Sequence, residues 1–237
     1  MFRRFAVFYT PGPGRFADFG AAWLGWDSRH AKEVPHPDIA GLDVAGLTET
    51  PRKYGFHATL KAPFRLAQGH GEPALLDAVD GLAKELQPVG LSDVRAEFRH
   101  GFVALRPAAA SGRDTAVGQL AERVMRELDW LRAPLSDEDR ARRRVDRLTA
   151  RQRGNLERWG YPFVAEEFNF HLTLTGRTDS DTAARLIAAL QPVLVECQPA
   201  LLSVDSLTVL GESCDGRFHE MERFPISIMA GTLDPPV

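Results

Sequence analysis

The chain has 237 residues, of which 44% are hydrophobic and 26% charged, with a formal net charge of −3. That length supports one large domain or two closely packed lobes, and the slightly acidic balance argues against a dedicated duplex-binding protein while leaving room for a local cationic pocket. No apolar stretch approaches the ~20 residues of a membrane span, and the basic start Phe2-Arg3-Arg4 leads into a run too short for a signal peptide.

In chain order, residues 3–10 alternate as a strand that stops at Pro11-Gly12-Pro13-Gly14. Residues 15–26 read as a helix with Phe16, Phe19, Trp23 and Trp26 on its core side. Residues 27–50 read as loop with at most one helical turn, carrying His30 and His36 at the surface. A strand follows over 54–66, then an amphipathic helix over 73–87 and a hairpin over 92–98 and 101–106. A helix at about 112–132 ends before Pro134. Ser136 then caps a charged helix in which Asp137-Glu138-Asp139 precede Arg140, Arg142, Arg143, Arg144 and Arg147, the pattern of a solvated helical face. Helix continues over 145–159. A second strand is expected at 166–176, a helix at 179–191, and strands at 200–210 and 217–229, before a frayed tail at Asp234–Val237. Cys197 and Cys214 have no metal-ligand spacing and read as thiols of a cytoplasmic protein.

Two short stretches carry the functional signal. Phe56-His57-Ala58-Thr59-Leu60 and Phe170-His171-Leu172-Thr173-Leu174 both read Phe-His-apolar-Thr-Leu. On a strand, residues two apart share a face. His57 and Thr59 therefore stand together, as do His171 and Thr173, with the apolar residues turned to a core. Imidazole titrates near pH ~6.5, so one ring of a pair can take a proton while the other gives one. Phosphodiester chemistry needs both transfers, and the threonine hydroxyls suit the non-bridging oxygens. A metal site is disfavoured, because two histidines from different strands need a third ligand and these faces offer no carboxylate or cysteine. The simplest architecture is α+β, with two similar halves that each contribute one motif strand. Residues 134–160 form a linking helical segment.

The paired motifs resemble those of the 2H phosphoesterase superfamily. Wider stretches, Pro51 to Phe64 and Trp159 to Gly176, resemble its largely uncharacterised branch encoded near bacterial phosphonate-utilisation genes. The resemblance implies a single bilobal domain over 1–237, with two antiparallel sheets and outer helices about a pseudo-twofold cleft. It also implies His57, Thr59, His171 and Thr173 as catalytic residues, with no metal and no cofactor. The expected substrate is a small cyclic phosphodiester, and the phosphonate setting suggests a ribosyl cyclic phosphate. RNA 2′,3′-cyclic phosphate and a non-catalytic phosphometabolite-binding role are the alternatives; nucleic acid is the less favoured partner. Beyond the four residues, Tyr9 is a candidate for the cleft mouth. Arg52, Lys53, Tyr54 and Lys61 are candidates for a second phosphate. Lys61 is expected on the His57/Thr59 face if the strand runs without interruption.

Overall fold

The structure, a computed structural model, describes residues 2–108, 112–143 and 145–226. It is a mixed α/β arrangement of antiparallel sheets. Strand β1 (Arg4–Tyr9) is followed by α1 (Arg15–Leu24), a short hairpin of β2 (Trp26–Asp27) and β3 (Lys32–Glu33), α2 (Val44–Arg52) and β4 (Ala58–Phe64). Next come α3 (Glu72–Ala83), β5 (Val89–Leu91), β6 (Val94–Arg99), β7 (Phe102–Pro107) and α4 (Ala116–Glu127). Helices α5 (Asp137–Arg142) and α6 (Ala150–Trp159) lead to β8 (Leu172–Thr173), α7 (Ser180–Cys197), β9 (Leu202–Val204), β10 (Ser206–Glu212) and β11 (Phe218–Pro225).

The main sheet has the order β11-β10-β1-β4, and a second sheet has the order β6-β7-β8. Strand β5 pairs with β9. The sheets do not follow the two halves of the chain. The last two strands complete the sheet that the first strand begins, because β1 is apolar on both faces and needs a neighbour on each edge. Phe5, Val7 and Tyr9 enter the main core with α1 and α3. Ala6 and Phe8 form a smaller cluster on the other face with Leu210, Phe218 and the half-buried Tyr54. A central strand covered on both faces reads as a continuous apolar run.

Several elements differ from the sequence expectation for physical reasons. Helix α1 ends at Leu24, where Gly25 adopts φ 74° and its N–H caps the Ala21 and Ala22 carbonyls; Trp26 then opens β2. Helix α2 occupies the stretch read as loop, capped by the Asp43 carboxylate on the Gly46 N–H at 3.0 Å. The Ser136 cap forms as expected, in a reciprocal box with Asp139. The helix is nevertheless broken: a 3₁₀ turn at Val145–Arg147 precedes α6, and Arg144 lies outside the described residues. Helix α7 continues past Pro192 to Cys197 because its buried stripe of Leu186, Leu190 and Leu194 continues too. The expected strand end at 227–229 and the tail also lie outside the described residues. Among those described, no helix is long and apolar enough to cross a membrane.

Candidate functional site

His57 and His171 stand immediately before β4 and β8. Phe56 and Phe170, buried beside them, anchor each chain to the core. Helix α1 approaches so closely that a Cβ at Gly20 would lie 2.0 Å from the Phe56 ring. Each imidazole then donates its Nδ1–H to the carbonyl two residues earlier, His57 to Gly55 at 3.0 Å and His171 to Asn169 at 2.7 Å. This repeated bond selects the tautomer in which Nε2 carries the lone pair. In the first strand the Thr59 hydroxyl donates to His57 Nε2 at 3.2 Å. Gly55 has φ 73°, and a Cβ there would meet Ser28 Oγ at 2.6 Å. The carbonyl that orients His57 therefore depends on glycine.

The rings around His57 are aromatic. Phe8 stacks on it at 3.9 Å, Tyr54 lies at 5.8 Å, and Tyr54 in turn stacks on Phe218 at 5.1 Å. Burial drives the His57 pKa from 6.5 down to about 4 against the pull of the Gly55 carbonyl, and His171 is near enough for its charge to lower it further. Burial likewise takes His171 to about 4, opposed by the Asn169 carbonyl and reinforced by Arg106. At pH 7 both rings are therefore neutral in the absence of an anion.

On the second sheet Leu105 pairs with Leu172 and Ala104 with Thr173. One step further along this antiparallel register, Arg106 stands beside His171 and shares its face. Arg106 is 2% exposed, and Nε and both terminal nitrogens lack a hydrogen-bonding partner among the described residues. Its guanidinium lies 5.0 Å from the centre of the Phe102 ring, which is itself 5.7 Å from His171. Sequence reasoning passed over Arg106. The available signal was a charged residue closing the otherwise apolar run Phe102-Val103-Ala104-Leu105.

The other sequence candidates separate. Tyr54 joins the aromatic group at His57, and the exposed Lys53 places its ammonium 5.2 Å from the Tyr54 ring centre. Lys61 does not share the His57 face. A bulge in β4 pairs Phe8 with Thr59 but Val7 with Lys61, so the alternation is reset and Lys61 turns with Val7. It is 3% exposed and bonds the Asp129 carboxylate at 3.1 Å and the Met125 carbonyl at 3.2 Å. Burial lowers its pKa to about 8 against the attraction of Asp129. Tyr9 also faces the core rather than a cleft mouth, with its ring 6.1 Å from Phe170, and burial raises its pKa. Arg52 is spent on the Leu24 and Ala45 carbonyls.

Strand β8 is two residues long rather than eleven because its neighbours satisfy the flanking backbone differently. The buried Thr175 hydroxyl accepts from the Val103 N–H at 3.0 Å, and the Trp23 indole N–H donates to the Leu174 carbonyl at 2.8 Å. The Gly176 N–H reaches the Leu47 carbonyl at 2.7 Å. The arginine-bearing segment borders the site: Arg143 lies 4.9 Å from the Tyr161 ring centre, and Tyr161 lines a small hollow with Thr59, Glu122 and Met125.

Residues 59–219 match the model of a family described as "Protein of unknown function (DUF1045)". The chain belongs to this family. The DUF1045 span includes Thr59, Arg106, His171 and Thr173, and begins two residues after His57. A ribose 1,5-bisphosphate phosphokinase PhnN of Janthinobacterium sp. (strain Marseille) is 36% identical over 233 residues, 94% of this chain and 51% of the relative. A protein of the same name from Laribacter hongkongensis (strain HLHK9) is 37% identical over 177 residues, 74% of this chain and 40% of the relative. The chain thus spans about half the length of these relatives or less. A solved structure described as a phosphoesterase aligns over 96% of this chain and 99% of its own, at 13% identity and a TM-score of 0.42.

Proposed function

We propose that this DUF1045 chain is a metal-independent phosphoesterase acting on a small cyclic phosphodiester, with His57 and His171 as its proton-transfer pair. The observation that carries the reading is the duplicated bond from imidazole Nδ1 to the carbonyl two residues earlier, which gives two neighbouring rings the same tautomer. In hydrolysis one neutral Nε2 takes a proton from water as the water oxygen bonds to phosphorus. The other ring, protonated, gives its proton to the leaving ester oxygen as the phosphorus–oxygen bond breaks. The product is a phosphomonoester with a new hydroxyl, and the two rings have exchanged protonation states. Thr59 and Thr173 donate to the non-bridging oxygens, where charge builds up. Lys53 and Tyr54 edge the entrance. Binding an anionic phosphate between the rings raises both imidazole pKa values and stabilises the protonated partner.

The relatives' kinase name supports a phosphorylated ribose as the substrate class, but not a phosphokinase reaction for this segment. Its four lysines, Lys32, Lys53, Lys61 and Lys84, never follow glycine, so it carries no Gly-Lys of a Walker A loop. A cytoplasmic setting belongs to the same reading.

The test is turnover of ribosyl cyclic phosphates and 2′,3′-cyclic mononucleotides with EDTA present, comparing wild type with His57→Ala and His171→Ala. Each variant is expected to lose at least ~100-fold with its fold retained. Full activity in either one sinks the proposal. Preference for oligonucleotide ends with a steep salt dependence moves the substrate to RNA.

A further inference from the structure

Arg106 is held differently from Arg4 and Arg132, two other arginines that are largely buried. Arg4 lies in a two-point bond to Glu212, at 2.5 and 2.7 Å. Arg132 clasps Asp129 at 2.8 and 3.0 Å. Arg106 is more deeply buried than either, and its guanidinium has no hydrogen-bonding partner among the described residues. Of the charges on β6 that act on it, Arg99 repels it more than Glu97 attracts it. A buried charge without a bonded partner is costly, and folded proteins keep few of them outside functional sites.

The position of this charge gives it a use. Register places it beside His171, and Ala104, opposite Thr173, adds only a methyl group to the face between Phe102 and Arg106. A planar guanidinium matches two phosphoryl oxygens at once. Exclusion of water strengthens whatever ion pair forms there.

We propose that Arg106 is the phosphoryl clamp of the cleft, binding the non-bridging oxygens of the phosphate that lies between His57 and His171. The proposal rests on the phosphate-cleft reading above and adds its anion-binding residue. The guanidinium nitrogens are covered, so phosphate entry includes a side-chain movement of Arg106 or Phe102. The clamp gains most as the phosphodiester monoanion passes through a more highly charged transition state, so its loss falls mainly on kcat. It also separates the two histidines, since a fixed cation beside His171 opposes a proton on that ring more than on His57.

The experiment follows thermal unfolding with inorganic phosphate as the probe, in wild type, Arg106→Met, Arg106→Lys and His171→Ala. In phosphate-free buffer Arg106→Met is expected to melt at or above wild type, because an unpaired buried charge has been replaced by an apolar chain of similar length. Phosphate raises the Tm of wild type and of His171→Ala, leaves Arg106→Met unmoved, and raises Arg106→Lys by an intermediate amount. With a cyclic phosphate, Arg106→Met loses ~100-fold or more in kcat. A variant that melts well below wild type yet keeps the full phosphate shift identifies a structural arginine and overturns the clamp. So does a wild type that phosphate leaves unmoved. Turnover by wild type that Arg106→Met matches overturns the clamp and leaves the esterase standing. A phosphate shift lost in Arg106→Met, with no turnover of any cyclic phosphate by wild type, keeps the clamp and removes the esterase.

Discussion

The two His-x-Thr stretches share a sequence and a tautomer-fixing bond but live in different surroundings. His57 lies on the Phe8 ring, with Tyr54 and Phe218 around it, and its Nε2 accepts from Thr59. His171 has Phe102 on one side and a guanidinium beside it. The first strand is seven residues long and bulged; the second is two residues long and completed by side chains. The lesson is that matching local sequence fixes how each imidazole is held, whereas the neighbouring strand decides the charge it experiences.

The sharpest way to break this comparison is to remove the rings together. If they act as one unit, the His57→Ala/His171→Ala double variant should be no worse than either single variant, each ~100-fold or more down in kcat. A double variant whose losses multiply means that the rings act independently. Next in size are the threonines. Thr59 donates to His57 Nε2 besides its proposed role at the phosphate, so Thr59→Val is expected to cost about 100-fold and Thr173→Val about 10-fold, read as kcat. Equal losses would erase the distinction between the strands.

A change behind the first ring comes third. Gly55→Ala forces a side chain into positive φ and against Ser28, at a cost of about 1–2 kcal/mol or more, and swings the carbonyl that holds His57. A lowered Tm together with a lowered kcat is expected, and an unchanged kcat would detach that carbonyl from catalysis. Acid stability tests both rings at once. Each folded-state pKa lies at about 4 against 6.5 for a free imidazole. Stability from the neutral rings is therefore complete above pH 6.5 and is lost as pH falls toward 4, because the unfolded chain takes up two protons that the native protein refuses. The slope reaches about 2.7 kcal/mol per pH unit at most, and denaturant titrations of the double-alanine variant should show it flattened. For the same reason kcat/KM should rise as pH drops from 7 toward 5, since the singly protonated pair becomes more abundant.

The smallest effect is expected at Lys61. Lys61→Met removes a buried ammonium while Arg132 keeps Asp129 bonded. Stability should move by no more than about 1 kcal/mol and kcat should stay at the wild-type value. A large loss of activity would return Lys61 to the site.

The contact of His57 with Thr59 was legible because period-two alternation holds over three residues. The same rule failed for Lys61, two residues further on, because a bulge is a property of two strands and leaves no mark on one. Helix α2 was missed since it buries only Val44, Thr48 and Pro51, too narrow a stripe to stand out among polar residues. Strand β8 was overestimated because Thr175, Trp23 and Leu47 take over bonds that a longer ladder would have made. Arg106 was marked in the sequence only as a charge closing an apolar run; that its guanidinium lacks a hydrogen-bonding partner among the described residues is visible only in a structure. The exchange of strands between the halves was hidden as well, since no local pattern says that β10 belongs beside β1.

That exchange bears on how the protein is made. Strand β1 can join β4 once the chain through Phe64 is available, but its other edge is closed by β10, ending at Glu212, about 150 residues later. At a synthesis rate of ~5–20 residues per second, that interval lasts roughly 7–30 s. For all of it the nascent chain displays an apolar strand with an open hydrogen-bonding edge, the kind of surface on which chains associate wrongly. Strand β1 is therefore synthesised about 150 residues ahead of the strand that protects its open edge, and chaperone dependence during translation is expected to track the delay before β10 emerges.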